Sequence, residues 1–166
     1  LKFDSDNYLK EFSFYSKEDR IFRHTRDNLL GEEEYHKLMD IMISKSNLTF
    51  NKKIHNELWM NSDDILNLKT RGHIIGLHSH THPTRMAEKS YSFQNENYKK
   101  NKQILEDIIQ DNIICMSHPC NSYNNETIDI LVKLGIKLGF RANLKNFGNS
   151  SLEIPRIDHS EILKLI

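Results

Sequence analysis

Four of the nine histidines in this 166-residue chain, His73, His78, His80 and His82, fall within ten consecutive positions. Imidazole is the commonest protein ligand of zinc-like ions, and residues four apart on a turn or helical start project to one side. His78 and His82 are therefore candidates to share one divalent ion, zinc before others. His80, two residues from each, is expected to point away. A lone histidine is more often a surface or capping group. A cluster directly behind the apolar residues Ile74, Ile75 and Leu77 favours the metal.

A second polar run, Ser117-His118-Pro119-Cys120-Asn121-Ser122-Tyr123-Asn124, follows the apolar residues Ile113 and Ile114. His118 is a candidate acid–base or substrate group beside the metal, and the competing reading is a histidine that satisfies a strand end. Cys120 would need a lowered thiol pKa to act as a nucleophile, so an inert thiol is the plainer reading. Arg156, expected at a strand end, either orients an acid, binds substrate or serves as a structural ion-pair partner. Asp158 and His159 are candidates for a late acid–base pair, although adjacent side chains point in different directions.

The elements that must position these residues can be read from period and punctuation. Residues 1 to 30 show no sustained period of 2 or 3.6 and are expected to be loop with short extended pieces. From Gly31 to about Lys45, Tyr35, Leu38, Met39 and Met42 step by three and four, which predicts a helix with Tyr35, Met39 and Met42 facing a core and Glu32, Glu33 and Glu34 as a solvated first turn. Asn61 or Ser62 caps a second helix that Gly72 stops. The brief apolar run His73 to His78 predicts a buried strand. A long polar helix follows from about Ser92 to Gln110, then a strand at Ile113 to Met116 and a helix capped by Asn124 or Asn125 and ended by Gly135. Leu138 to Phe140 and Leu152 to Ile154 read as strands, and Ser160 to Ile166 as a terminal helix. Strands alternating with helices imply parallel βα units, so the fold class is α/β.

Composition bounds the function. Twenty-three Lys and Arg balance 23 Asp and Glu, and a chain of neutral formal charge has no global positive field to gather nucleic acid or an anionic membrane. No stretch approaches the roughly 18 consecutive apolar residues of a membrane span. Cys115 and Cys120 are too few and too close for a disulfide framework, which favours a reducing compartment and a cytoplasmic location. A chain of this length can bury a real core as a single domain, with 1–57 as a loop and helical region and 58–158 as the motif-bearing part.

Three stretches now resemble a known family. Trp59-Met60-Asn61-Ser62-Asp63-Asp64, Gly72-His73-Ile74-Ile75-Gly76, and His78-Ser79 with His82-Pro83 look like the second motif region of the polysaccharide deacetylases, the NodB-like carbohydrate esterases. Met116 to Asn124 resembles the segment in which that family usually writes Arg-x-Pro-Tyr, and Gly139-Phe140-Arg141 and Glu153-Ile154-Pro155-Arg156-Ile157 resemble its later strands. The resemblance spans about residues 58 to 158. It implies a distorted (β/α) barrel, a divalent ion held by two histidines and an aspartate, and hydrolysis of a sugar acetamide. His78 and His82 would be the metal ligands, His118, Asp158 and His159 the catalytic candidates, and Cys120, Tyr123 and Arg156 the substrate side.

The sequence also departs from that pattern. The paired aspartates of the family's first motif, one a ligand and one the base, have no clear counterpart. Phe3-Asp4-Ser5-Asp6 is the nearest look-alike, with too little chain before it to make the strand, so Asp4 and Asp6 read as solvated loop acids and the barrel is expected to be incomplete, its aspartates lying upstream of Leu1. Ser117 stands where the family's Arg would orient the base, and Cys120 where its Tyr would help an oxyanion hole. Two readings result: a metal-dependent carbohydrate N-deacetylase, or a catalytically degenerate carbohydrate-binding or scaffold module on the same fold. Neither needs nucleic acid as a partner.

Overall fold

The computed structural model describes residues 3–46, 58–144, 150–157 and 162, and the chain divides into two compact units, 1–52 and 53–166. Asp158, His159 and most of the terminal helix expected from Ser160 lie outside the described residues.

The first unit is more helical than its sequence implies. Helix α1, Lys17–His24, starts at a capping box in which the Asp19 amide donates to Ser16 Oγ and the Ser16 amide to the Asp19 carboxylate, both at 3.1 Å. That reciprocal pair satisfies two of the amides a helix start leaves without partners, and it overrides the absence of a clear hydrophobic period. The expectation of loop with extended pieces is thus corrected over this stretch. A single wide turn of π-helix, Thr25–Leu29, continues the chain towards α2, Glu32–Lys45. Tyr35 and Met39 on α2 are only half-buried and Met42 is 55% exposed, so the core face expected there is not formed among the described residues. No described residue of 3–46 is buried.

The second unit is built from parallel segments in chain order. Leu77 bridges Met116 in parallel, β1 (Cys115–Ser117) pairs in parallel with β2 (Leu138–Phe140), and Phe140 bridges Ile154 in parallel. Helices make the crossovers: α3, Ser62–Thr70, precedes the first segment, α4, Tyr91–Ile109, joins it to β1, and α5, Asn125–Lys133, joins β1 to β2. This is the construction of a (β/α) barrel, present here as an open arc.

Local chemistry explains the boundaries. Asn61 and Asn124 each close a capping box, with Asp64 and Thr127 respectively. Gln110 ends α4 in the left-handed region at φ 52°. The run expected as a strand over His73 to His78 reduces to the single bridge at Leu77, whose amide donates to the Cys115 carbonyl and whose carbonyl accepts from the Ser117 amide, both at 2.9 Å. Among the described residues this segment has a ladder partner on one side only, and Ile74 is 82% exposed. Leu77, Met116, Tyr98, Ile130, Leu131 and Leu152 form the centre of the core between helices and arc.

Candidate metal centre

The loop 78–82 leaves the carboxyl end of the first segment, the position where parallel α/β architectures gather their functional groups. It is not helical. Ser79 and His82 both lie in the left-handed region, at φ 64° and 52°, and the His82 amide donates to Ser79 Oγ at 3.0 Å to close the turn. Left-handed backbone costs a non-glycine residue about 1–2 kcal/mol, so the surroundings must hold it. They do so from α4. Asn97 Oδ1 accepts from the His80 amide at 2.7 Å and the Thr81 amide at 3.3 Å, while its Nδ2 donates to Thr81 Oγ1 at 2.7 Å. One turn further on, Asn101 Oδ1 accepts from the His78 amide at 3.1 Å.

The result is convergence. The Nε2 atoms of His78 and His82 stand 3.1 Å apart, with ring centroids at 4.8 Å. His78 Nδ1 lies 2.9 Å from the Ser117 carbonyl oxygen, an acceptor only, so Nδ1 carries a proton and Nε2 is the nitrogen left to offer a lone pair to a metal. A carbonyl behind the distal nitrogen is how ligating histidines are normally oriented. Two nitrogens on a tetrahedral ion at roughly 2.0–2.1 Å lie about 3.3 Å apart. The pair fits a shared divalent ion in donor type and spacing, and His78 also in tautomer. Among the described residues no third His, Cys, Asp or Glu joins it into a group of three.

His80 is exposed and contributes its backbone amide to the Asn97 contact. Asp4 is spent locally, accepting from the Asp6 amide at 2.9 Å and Asn7 Nδ2 at 2.6 Å, and both Asp4 and Asp6 are exposed.

Ser117 ends β1 and is followed by His118, whose amide donates to the Phe140 carbonyl at 3.0 Å. The His118 ring turns inward: it is 3% exposed, stacks on Tyr123 with centroids 4.0 Å apart, and donates from Nε2 to the Leu152 carbonyl at 2.8 Å. Its Nδ1 has no hydrogen-bond partner in the described structure. A second proton there would be a buried charge with no acceptor, and burial holds this imidazole below the ordinary 6.5. The Tyr123 hydroxyl donates to Glu153 Oε1 at 2.8 Å, and burial first, then that contact, push its pKa up. Cys120 is exposed on the turn after Pro119 and, with Asn121, adopts left-handed backbone at φ 49° and 55°.

Arg156 comes from the last parallel segment. Its Nη2 donates to Ser117 Oγ at 2.9 Å, its Nε to the Arg141 carbonyl at 3.3 Å, and its guanidinium lies 5.1 Å from the Phe140 ring centroid. A crevice of about 600 Å³ is bordered by His78, Ser117 and Arg156 together with Ile74, Leu138 and Phe140, among others. Neither His118, Cys120 nor Tyr123 lines it. Sequence reasoning missed Asn97 and Asn101, the residues that shape the histidine loop. Their signal was weak: two amides four apart on one face of a polar helix.

Parallel βα units with an imidazole pair at their carboxyl ends define a barrel protein of the α/β class with a candidate metal site. The chain belongs to the polysaccharide deacetylase family, whose sequence model matches residues 42–139. A deacetylase of Streptococcus pyogenes, PplD, solved in complex with acetate, superposes with a TM-score of 0.54 at 26% identity over 59% of this chain and 44% of that one. The deacetylase domain of BpsB from Bordetella bronchiseptica gives 0.52 at 13% identity over 60% and 48%, and a de-N-acetylase of Aggregatibacter actinomycetemcomitans gives 0.52 at 13% over 65% and 53%. These likenesses establish the deacetylase fold, of which the described residues form part. The chain spans less than half the length of the streptococcal structure. No curated protein matches it by sequence.

Proposed function

We propose that this chain carries the histidine part of the metal site of a metal-dependent carbohydrate N-deacetylase, which hydrolyses an acetamide on a sugar. The observation that carries the reading is the convergence of His78 and His82 Nε2 at 3.1 Å with the His78 tautomer set by the Ser117 carbonyl. A bound divalent ion supplies Lewis acidity to the amide carbonyl and lowers the pKa of a bound water towards about 7. His78 and His82 hold that ion, zinc being the best match to two imidazoles. Ser117 fixes the ligand orientation, and Asn97 and Asn101 fix the loop. The largely apolar walls of the crevice offer a surface to the sugar ring, and Arg156 contacts its polar groups. In this reading the third ligand and the base are carboxylates outside the described residues, and Asp158 and His159 are the candidates for the acid that protonates the leaving amine.

The same residues also supply the one observation behind the second reading, a degenerate carbohydrate-binding module. Ser117 and Cys120 hold the positions of the family's Arg and Tyr, and the described residues give the imidazole pair no third ligand. Zinc titration of the full-length gene product by calorimetry, coupled to acetate release from N-acetylglucosamine oligomers, separates the two. Zinc binding that needs both histidines, with acetate released, is the expected result. Zinc or sugar binding with no acetate released would favour the binding module, and absence of zinc binding would overturn the metal site.

A further inference from the structure

We infer that Arg156 supplies the guanidinium that position 117 lacks and is a positioning residue for the base of the hydrolysis, besides its contact with the sugar. The base, a carboxylate outside the described residues, belongs to the deacetylase reading, on which this inference rests. The place of the guanidinium is a matter of geometry.

Ser117 lies inside the stretch matched by the family's sequence model and holds the position where the family's Arg orients the base, whereas Arg156 lies beyond residue 139, where that match ends. Compared motif by motif, the arginine is lost. In three dimensions a guanidinium stands beside position 117 all the same. β2 separates β1 from the last parallel segment, since β1 pairs with β2 and Phe140 of β2 bridges Ile154. The Arg156 side chain crosses that strand over the ring of Phe140, the register partner of Ser117, with the guanidinium 5.1 Å from the ring centroid. Its Nη2 donates to Ser117 Oγ at 2.9 Å and its Nε to the Arg141 carbonyl at 3.3 Å. Two bonds and a ring face orient the guanidinium, and one of those bonds goes to the side chain of the very residue whose place in the family it takes.

Charge leads to the same role. Ser117 accepts from His78 Nδ1 through its carbonyl and from Arg156 through its hydroxyl, so imidazole and guanidinium hang from two oxygens of a single residue. A divalent ion on His78 therefore has a held cation as a neighbour. Two like charges beside mainly apolar walls repel, and a carboxylate between them replaces that repulsion with two attractions. The base is such a carboxylate. It has to stay charged beside the ion with a lone pair aimed at the water, and a planar fork fixes both charge and direction. A guanidinium carries five N–H donors, enough for Ser117, the Arg141 carbonyl, a bidentate carboxylate and one sugar hydroxyl.

The test is steady-state acetate release from N-acetylglucosamine oligomers by the zinc-loaded full-length gene product. Arg156→Gln is expected to lower kcat about 10- to 100-fold, the usual effect of removing a group that orients the residues of a metal site, with KM and zinc affinity within about threefold of wild type. Arg156→Ser should behave alike. The exchange variant Ser117→Arg/Arg156→Ser, which puts the guanidinium back at position 117, should recover about tenfold in kcat over Arg156→Ser. Guanidinium chloride at millimolar concentration should raise kcat of Arg156→Ser as well, a rescue that decides the matter where the exchange variant does not fold. Thermal melting and zinc titration check each variant. An unchanged kcat in Arg156→Gln, or a loss confined to KM, would overturn the inference and leave Arg156 as a sugar contact alone; so would the absence of rescue by both the exchange and added guanidinium. Either result, with acetate still released by the wild type, leaves the deacetylase reading intact. A zinc-loaded wild type that releases no acetate sinks that reading, and this inference with it.

Discussion

The Nε2 atoms of His78 and His82 face each other at 3.1 Å across a turn whose two ends, Ser79 and His82, are left-handed. That relationship is a property of the loop and of the helix that grips it, since neither histidine lies in regular secondary structure. On the proposed reading, metal binding depends on the pair and on the loop's supports separately.

His78→Ala and His82→Ala are each expected to abolish zinc binding, measured by calorimetry, while His80→Ala leaves it within about twofold. Loss of one of two imidazoles removes half of the described ligand set. Equal loss in all three variants would show that His80 ligates.

Asn97→Ala should weaken zinc binding by about 10- to 100-fold, the usual effect of removing a group that orients metal ligands. It should also cost about 1–3 kcal/mol of stability, because the His80 and Thr81 amides lose their shared acceptor. Asn97→Asp, which keeps the acceptor for both amides and loses only the Nδ2 donation to Thr81 Oγ1, should lie between. An Asn97→Ala chain that binds zinc as well as wild type would mean the loop holds itself.

His118 predicts an acid-side loss of stability. Burial depresses its folded pKa below 6.5, so the unfolded chain takes up the proton first as pH falls. The contribution is present in full above the unfolded value, about 6.5, and is lost progressively below it, with a slope of at most about 1.4 kcal/mol per pH unit. Chemical denaturation between pH 7.5 and roughly 5 should show His118→Gln less stable at neutral pH yet losing less on acidification. Parallel wild-type and variant curves would place the titration elsewhere.

Gly139→Ala is expected to destabilise the chain by about 1–3 kcal/mol, the range for overpacking, with a melting point several degrees lower. A Cβ there would lie 2.4 Å from the Leu152 carbonyl oxygen, which is backbone and is the same oxygen that accepts from His118. An unchanged melting point would show that the segment carrying Leu152 gives way freely.

By itself the sequence determined the histidine pair, the alternation of helices with short parallel segments, and the caps. Asn61 and Asn124 start their helices because a short polar side chain can satisfy free amides whatever packs above it. The family was also legible, since its motifs are contiguous runs of residue types. Tertiary structure decided the rest. Spacing placed His78 and His82 together, but only Ser117, 39 residues on, chose which nitrogen of His78 keeps its lone pair. Only the fold turned His118 into the core and left Arg156 on the crevice, because one residue's difference along a chain says nothing about which neighbour from another segment will meet it. The strand expected over His73 to His78 shortened to one bridge for the same reason: a strand is a relation between chains of backbone, and the described structure supplies that partner on one side alone. Over residues 17–24 the sequence did hold the answer, in Ser16 and Asp19, where reciprocal capping made a helix that the hydrophobic pattern did not announce.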